Sequence, residues 1–291
     1  MTEKNESAVT IRVATPADIP ECGRICYAAF SAINAAHGFP CDFPSVEVAT
    51  GIIGFLFSAP QFYCVVAEID GRVVGSNCLD ERAIIHGIGP ITVDPAIQNR
   101  GVGRSLMQAV LDHSAERAAP GIRLVQAAFH NRSLSLYTAL GFDVREPLSC
   151  LQGRTTVRSI PGCEVRPATP ADLAACNALC HRVHGFDRGV ELAQGMEDGS
   201  ALVVERGGRI TGCASNMALF GFGVTETDTD LQALLASVES FGSSGILLPS
   251  RNHAVLRWAL AHGLRVVQPM TLMSKGLYNE PSGAWFASVT F

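Results

Sequence analysis

The chain has little charge and no surplus of the positive sign. Charged residues fill 17% of its 291 positions, and 22 Lys and Arg against 27 Asp and Glu leave a net charge of −5. With no basic excess, nothing draws the chain to nucleic acid or to an anionic membrane. Long apolar runs are missing too. The longest, Gly51 to Phe57, falls far short of the roughly 20 residues that span a bilayer. Met1 to Ala8 lacks the apolar stretch of a secretory signal. Ten cysteines are present, but no Cys-x-x-Cys occurs and no histidine spacing fits zinc. Cys22/Cys26 and Cys176/Cys180 are each four apart, on one helix face, and read as small buried hydrophobes. The expectation is a cytoplasmic protein with reduced thiols and no metal.

What is plentiful is apolar surface. The sequence is 47% hydrophobic, enough to bury a sizeable core, and long enough for two domains.

The stretch from Ile91 to Leu106 organises the rest. Ile91, Thr92 and Val93 are β-branched and read as strand. Asp94-Pro95 ends the run, because proline cannot continue a ladder. Val102, Leu106, Met107, Val110, Leu111 and Ala115 then recur at helical spacing, with Arg104, Gln108, Asp112 and Glu116 opposite. Between strand and helix lies Gln98-Asn99-Arg100-Gly101-Val102-Gly103. Its two glycines permit a tight turn and a close approach of ligand to backbone. The first amides of a helix have no internal partner and sit at the positive end of its dipole. Strand, glycine turn and helix start therefore make an anion site, most naturally for phosphate. No Gly-Lys-Ser/Thr follows, so this is not a P-loop, and Gly-x-Gly-x-x-Gly fails at Leu106.

Around this stretch the pattern gives a first strand at Thr10 to Ala14 and a helix start at Thr15-Pro16-Ala17-Asp18. A stripe of Ile19, Cys22, Ile25, Cys26, Ala29 and Phe30 follows. His37 to Pro44 is a loop, and a second helix runs from Val46 to Phe57. Strands are expected at Phe62 to Ile69, Arg72 to Asp80, Ile84 to Val93 and Leu124 to Phe129. Asp70-Gly71 joins the first two of these. Asn131 to Leu140 is a helix, stopped by Gly141.

The loop, read as Gln98-x-x-Gly101-x-Gly103, resembles motif A of the GNAT acyltransferases. The flanks strengthen the likeness: I-T-V-D-P before it, an amphipathic helix after it, and Ser133 to Phe142 downstream. The resemblance implies an α/β (α+β) fold, a mixed, mostly antiparallel twisted sheet flanked by helices. It implies acetyl-CoA as co-substrate and transfer of an acetyl group to an amine of a small molecule or peptide. Carried over by position, Ile91, Thr92 and Val93 would meet the pantetheine arm. The pyrophosphate would sit on Gln98, Asn99, Arg100, Gly101, Val102, Gly103 and Arg104. Tyr137 matches the family tyrosine that faces the thiol sulfur, and a phenol could protonate a leaving thiolate. The family asparagine falls on His130, one place from Asn131, with Ser133 nearby. His37 and Asp42 lie where members line the acceptor pocket; a loop hydrogen bond is the plainer reading of both.

The general base is open. The acidic residue that many members carry falls near Gly87. Gly87 and Gly89 point to a bulge instead. His86, Glu81, Asp80 and an ordered water are the candidates.

An internal repeat covers the second half. Arg166-Pro-Ala-Thr-Pro-Ala-Asp172 repeats Arg12-Val-Ala-Thr-Pro-Ala-Asp18, and Cys176/Cys180 repeat Cys22/Cys26, at an offset of 154. His184-Gly-Phe186 echoes His37-Gly-Phe39, and Gly208 to Gly212 echoes Gly71 to Gly75. The expected domains are 1–160 and 161–291, divided near the Pro161-Gly162 turn. In the second copy Glu226, Asp228 and Asp230 replace the glycine loop, which bars a pyrophosphate. A helix is expected from Asp230. The tail beyond Met273 is too apolar to stay in water. A last strand closing the second sheet is the plain expectation. Some two-copy relatives in the GNAT superfamily instead use the C-terminal carboxylate, here that of Phe291, as base.

Two functions remain at this point. One is a CoA-dependent N-acetyltransferase, monomer or homodimer. The other is a non-enzymatic acyl-CoA-binding or sensing module whose second domain docks a partner.

Overall fold

The computed structural model describes residues 8–98 and 100–290. They form two compact units. One holds the described residues up to Glu81 together with His86–Ala119; the other holds Arg82–Ile85 and everything from Pro120 onward.

In the first unit, β1 (Thr10–Val13) leads into a single 3-10 turn, Pro16–Asp18. Asp18 accepts both the Thr15 N–H and its hydroxyl at 2.8 Å, so the helix start is fixed by two local bonds. Helix α1 (Ile19–His37) ends at Gly38, whose φ of 72° supplies the left-handed cap. Helix α2 (Val46–Ser58) starts on Ser45, which accepts from Val48 N–H. Cys22, Cys26, Phe43, Ala49, Ile53 and Val66 form the core beneath both helices. The cysteines are packing groups there, free and buried.

Strands β2 (Phe62–Ile69) and β3 (Arg72–Asp80) form a hairpin with the expected bounds. The predicted strand Ile84 to Val93 is broken. It becomes β4 (Ile85–Ile88) and β5 (Thr92–Val93), interrupted at Gly89-Pro90. Proline has no N–H for the ladder, and Gly89 at φ 142° takes a backbone shape other residues resist. Both pieces pair with β3, at Leu79↔Ile88 and Ser76↔Thr92. Helix α3 (Val102–Glu116) follows. Its inner face differs from the expected stripe by one position: Ser114 is buried and Ala115 is exposed. Gly75 sets the approach of β5 to β3. A Cβ there would lie 2.5 Å from the Thr92 carbonyl and 3.1 Å from Leu106 of α3.

The second unit has a four-stranded antiparallel run and a separate five-stranded sheet. Strand β6 (Gly121–Ala127) starts earlier and stops sooner than Leu124 to Phe129. Helix α4 (Asn131–Ala139) stops one residue short of the expected end, before Gly141 at φ 90°. Strand β7 (Asp143–Gly153) leads to β8 (Glu164–Pro167), α5 (Leu173–His184), α6 (Gly189–Glu197), β9 (Leu202–Arg206), β10 (Arg209–Ala214), β11 (Gly223–Thr225) and α7 (Asp228–Ser237). Then come β12 (Ile246–Pro249), α8 (His253–Ala261), β13 (Leu264–Gly276) and β14 (Ala284–Phe286). The long β13 lies between β6 and β7, and β7 in turn reaches β12. The other sheet runs β14-β11-β10-β9-β8. The apolar tail is therefore used as expected, as a last strand: Ala284 pairs with Thr225, Phe286 with Gly223. Phe291 and Asn99 lie outside the described residues.

The repeated sequence makes repeated contacts. Arg12 binds Asp18 at 2.7–2.8 Å and Glu68 at 2.7–2.9 Å. Arg166 binds Asp172 at 2.8–2.9 Å and Glu205 at 2.5–2.8 Å. No helix among the described residues is long and apolar enough to cross a membrane.

Candidate functional site

The amino end of α3 carries the site in the first unit. β5 is held edge-on to β3, and Asp94 leaves it with its N–H on the Val74 carbonyl at 2.9 Å. A 3-10 turn, Pro95–Ile97, follows, capped by Asp94, whose Oδ1 accepts Ala96 N–H at 2.9 Å. Gly101 then turns the chain into α3 with φ 78°, the left-handed region that glycine alone enters freely. The Gly101 carbonyl accepts Ser105 N–H at 3.0 Å, the first bond of the helix. The amides of Val102, Gly103 and Arg104 precede that bond and face outward along the dipole. A Cβ on Gly101 would meet nothing within 4 Å, so there is open space at the corner. Arg100 and Arg104 are exposed on either side. Thr92 is buried against Ser76, hydroxyl to hydroxyl at 3.3 Å, while Ile91 lies outside the ladder. The first amides of a helix, a glycine turn and two flanking guanidiniums together suit an anion.

The base candidates are not gathered there. His86 on β4 turns its Nδ1 into α3, 2.9 Å from the Ser114 hydroxyl, and burial pushes its imidazole below the usual range. Glu81 pairs with Arg117 at 3.1 Å and His113 at 3.3 Å. His113 is stacked flat on Tyr63, with ring centroids 3.6 Å apart. Ser114 is twelve residues beyond Val102, which at about 1.5 Å per residue is roughly 18 Å along α3. Both candidates are thus committed at the far end of the helix.

The acceptor-loop candidates are committed to local bonds. His37 is exposed, its Nδ1 2.9 Å from the Ile33 carbonyl. Asp42 accepts from the buried Asn34 amide at 3.0 Å.

In the second unit, Tyr137 lies on α4, buried, its ring tilted against Phe142 at 6.3 Å. Burial pushes its phenol well above the usual value. Asn131 opens α4 and is exposed. The Ser133 hydroxyl reaches Gln126 at 3.1 Å and the His130 carbonyl at 2.9 Å.

At the place of the loop, the second unit is closed. Glu226 N–H donates to the Thr211 carbonyl at 2.8 Å, repeating Asp94 on Val74. There the likeness stops. Helix α7 begins at Asp228, two residues before the expected Asp230, straight after the strand. Asp230 is fully buried and turned inward, and Glu226 is held by Arg209 at 2.6 Å. Asp228 accepts from Asn252 at 2.8 Å. The acidic residues are engaged at the helix end rather than standing free.

Two features had no single-residue signal in the sequence. One is Asp94 with Arg24 of α1, at 3.1 Å. The other is a buried basic and aromatic cluster in the second unit. The guanidinium of Arg123 lies 5.0 Å from the Phe186 ring and 5.1 Å from Tyr278, with its pKa pushed down to about 9 by burial. Arg188 lies 3.6 Å over Phe222 and binds Glu191 at 2.6 Å.

Residues 30–142 match the acetyltransferase (GNAT) family. Among curated proteins, the chain is 29% identical over 146 residues to the mycothiol acetyltransferase of Mycobacterium sp. (strain MCS), covering 46% of each. The chain spans less than half the length of the curated relatives it matches. A solved structure from Pyrococcus horikoshii shares the fold with a TM-score of 0.69 at 20% identity, over 95% of this chain and 93% of that one. The GCN5-related N-acetyltransferase from Sphaerobacter thermophilus does so at 0.62 and 18% identity, over 94% and 97%.

Proposed function

We propose that this chain, whose residues 30–142 match the acetyltransferase (GNAT) family, is an N-acetyltransferase that takes acetyl-CoA and delivers the acetyl group directly to an amine of a small molecule or peptide. The observation that carries the reading is the open, glycine-cornered amino end of α3, lying within the segment that matches the family. The chain further reads as two copies of one fold, 1–160 and 161–291. On this reading the first copy takes the coenzyme and the second does not, because α7 begins without a glycine loop and carries its own cap. The paired clusters of Arg12 and Arg166 support this reading.

Acetyl-CoA supplies the acetyl group already activated as a thioester. The residues that would hold it are the amides of Val102, Gly103 and Arg104 for the pyrophosphate, with Arg100 and Arg104 adding charge. The backbone of Ile91, Thr92 and Val93 suits the pantetheine arm. Transfer to an amine then needs positioning, which can supply several kcal/mol, and a place for two protons. Tyr137 is kept protonated by its burial and serves as the acid. His86 and Glu81 are engaged elsewhere, so an ordered water takes the amine proton.

Calorimetry with CoA tests the reading. One site per chain is expected, together with thioester turnover against a panel of amines. Two sites would overturn the vacant second copy. Binding with no turnover on any amine would favour a binding module instead.

A further inference from the structure

A carboxylate, Asp94, opens the turn that leads into the anion corner. Asp94 follows β5 directly and is only 6% exposed. Its two oxygens are divided between two tasks. Oδ1 accepts Ala96 N–H at 2.9 Å and so shapes the 3-10 turn from which the loop departs. Oδ2 accepts from Nη2 of Arg24 on α1 at 3.1 Å, and Nη2 of Arg72 lies 3.7 Å away. Arg24 is itself held on its own helix by Glu21, at 2.8 and 2.9 Å. Left alone, a carboxylate on the segment that leads to those amides would disfavour a phosphate there.

The second unit shows the same place without a loop. Glu226 is gripped through both nitrogens of Arg209, its neighbour in the sheet, at 2.6 Å each, with Arg182 at 3.3 Å. The first turn of α7 is closed by Thr227 and Asp230. In the first unit the matching sheet arginine, Arg72, stands back, and the grip has passed to α1. One carboxylate oxygen is thereby released to shape the loop.

We infer that Arg24 is a positioning residue for the coenzyme A loop. It neutralises Asp94 and holds the turn that leads to Arg100 and the Gly101 corner. This rests on reading the loop as the coenzyme A site. The Arg24 side chain is 44% exposed, and pairs of that kind add little to stability. Its removal should therefore be felt in ligand affinity and hardly in the melting temperature.

The test titrates CoA calorimetrically into the full chain and four variants: Arg24→Met, Arg24→Lys, Asp94→Asn, and the double Arg24→Met with Asp94→Asn. Thermal melts without ligand accompany each. Arg24→Met should weaken CoA about tenfold, more at low salt than at high. Arg24→Lys and Asp94→Asn should each lose about threefold or less, since one keeps the charge and the other keeps an oxygen for Ala96. The double variant strands no carboxylate and should recover to within about threefold of wild type, a non-additivity that a merely structural anchor would not give. Unchanged affinity in Arg24→Met, or losses that simply multiply in the double, overturns the inference while the CoA site stands. A wild-type chain that binds no CoA overturns the site reading, and the inference with it.

Discussion

Asp230 closes the amino end of α7 onto Thr227. Its carboxylate accepts the Thr227 hydroxyl at 2.6 Å and the Thr227 N–H at 3.1 Å, and Thr227 returns a bond to Asp230 N–H at 3.3 Å. Arg206 and Thr211 complete the shell at 2.9 and 2.8 Å. This cap takes up the Thr227 and Asp230 N–H groups and sets a carboxylate at the helix end. The corresponding end of α3 starts on Gly101, which has no side chain to spend. The two helix starts thus differ in their first residues, a bare glycine in one and a capping Thr and Asp pair in the other.

Asp230→Ala should therefore destabilise the second unit rather than open it. The change removes the cap of α7 and takes a partner from the Thr227 and Thr211 hydroxyls, at a cost of about 1–3 kcal/mol, while the partly exposed Arg206 turns to water. Burial pushes the Asp230 carboxyl up, but the bonds from Arg206, Thr227 and Thr211 together outweigh it and leave the pKa below the usual value. The sign follows: the folded state binds the proton less readily than the unfolded one. The contribution is full at neutral pH and fades as pH falls through the lowered pKa. Urea unfolding of wild type and Asp230→Asn should show a gap at pH 7 that narrows in acid. A constant gap would mean the carboxylate charge is irrelevant.

Gly101 separates strain from charge. Gly101→Ala keeps the space, since a Cβ there meets nothing within 4 Å, but forces φ 78° on an alanine, at a cost of about 1–2 kcal/mol. A CoA affinity loss of a few fold is expected. Gly101→Asp adds a negative charge beside the pyrophosphate and should cost about a hundredfold. Equal losses in the two variants would show that the loop does not bind an anion. Calorimetry decides.

Much of this was legible in local pattern. β2 and β3 have their expected bounds because an Asp-Gly turn separates two β-rich runs. The glycine loop stood out because two glycines precede a helix stripe. What pattern could not give was partnership at a distance. Ser114 falls outside the stripe expected for α3, and only the fold shows its hydroxyl bonded to His86. Asp94 reads as a strand stop; its partner Arg24 is seventy residues away. The placing of β13 between β6 and β7 is likewise a non-local pairing with no trace in the alternation of either strand. The break at Gly89-Pro90 was half visible: the residues suggested a bulge, and the ladder is interrupted outright.

His86 offers a test by indifference. With its ring bonded to Ser114 and buried, His86→Gln should lower stability by about 1–2 kcal/mol through the lost buried bond. The acid limb of the pH profile of kcat/KM should not move, because the imidazole does not face the chemistry. Displacement of that limb would restore His86 as the base, and Ser114→Ala would then be expected to shift it as well.

Tyr137 is the sharpest catalytic prediction. Burial holds its phenol protonated well past neutral pH, which suits a group that gives a proton and does not take one. Tyr137→Phe keeps the ring against Phe142 and removes only the hydroxyl. Turnover should fall by about a hundredfold, the usual scale for loss of a general acid. CoA affinity should stay within about twofold, because the donor acts in the transition state and not in ground-state binding. No alkaline limb from this residue should be seen below its ordinary value of about 10. The measurement must be made under single-turnover conditions, so that product release cannot mask the chemical step. An unchanged single-turnover rate would return Tyr137 to the core of α4 and leave the thiolate to depart without a protein acid.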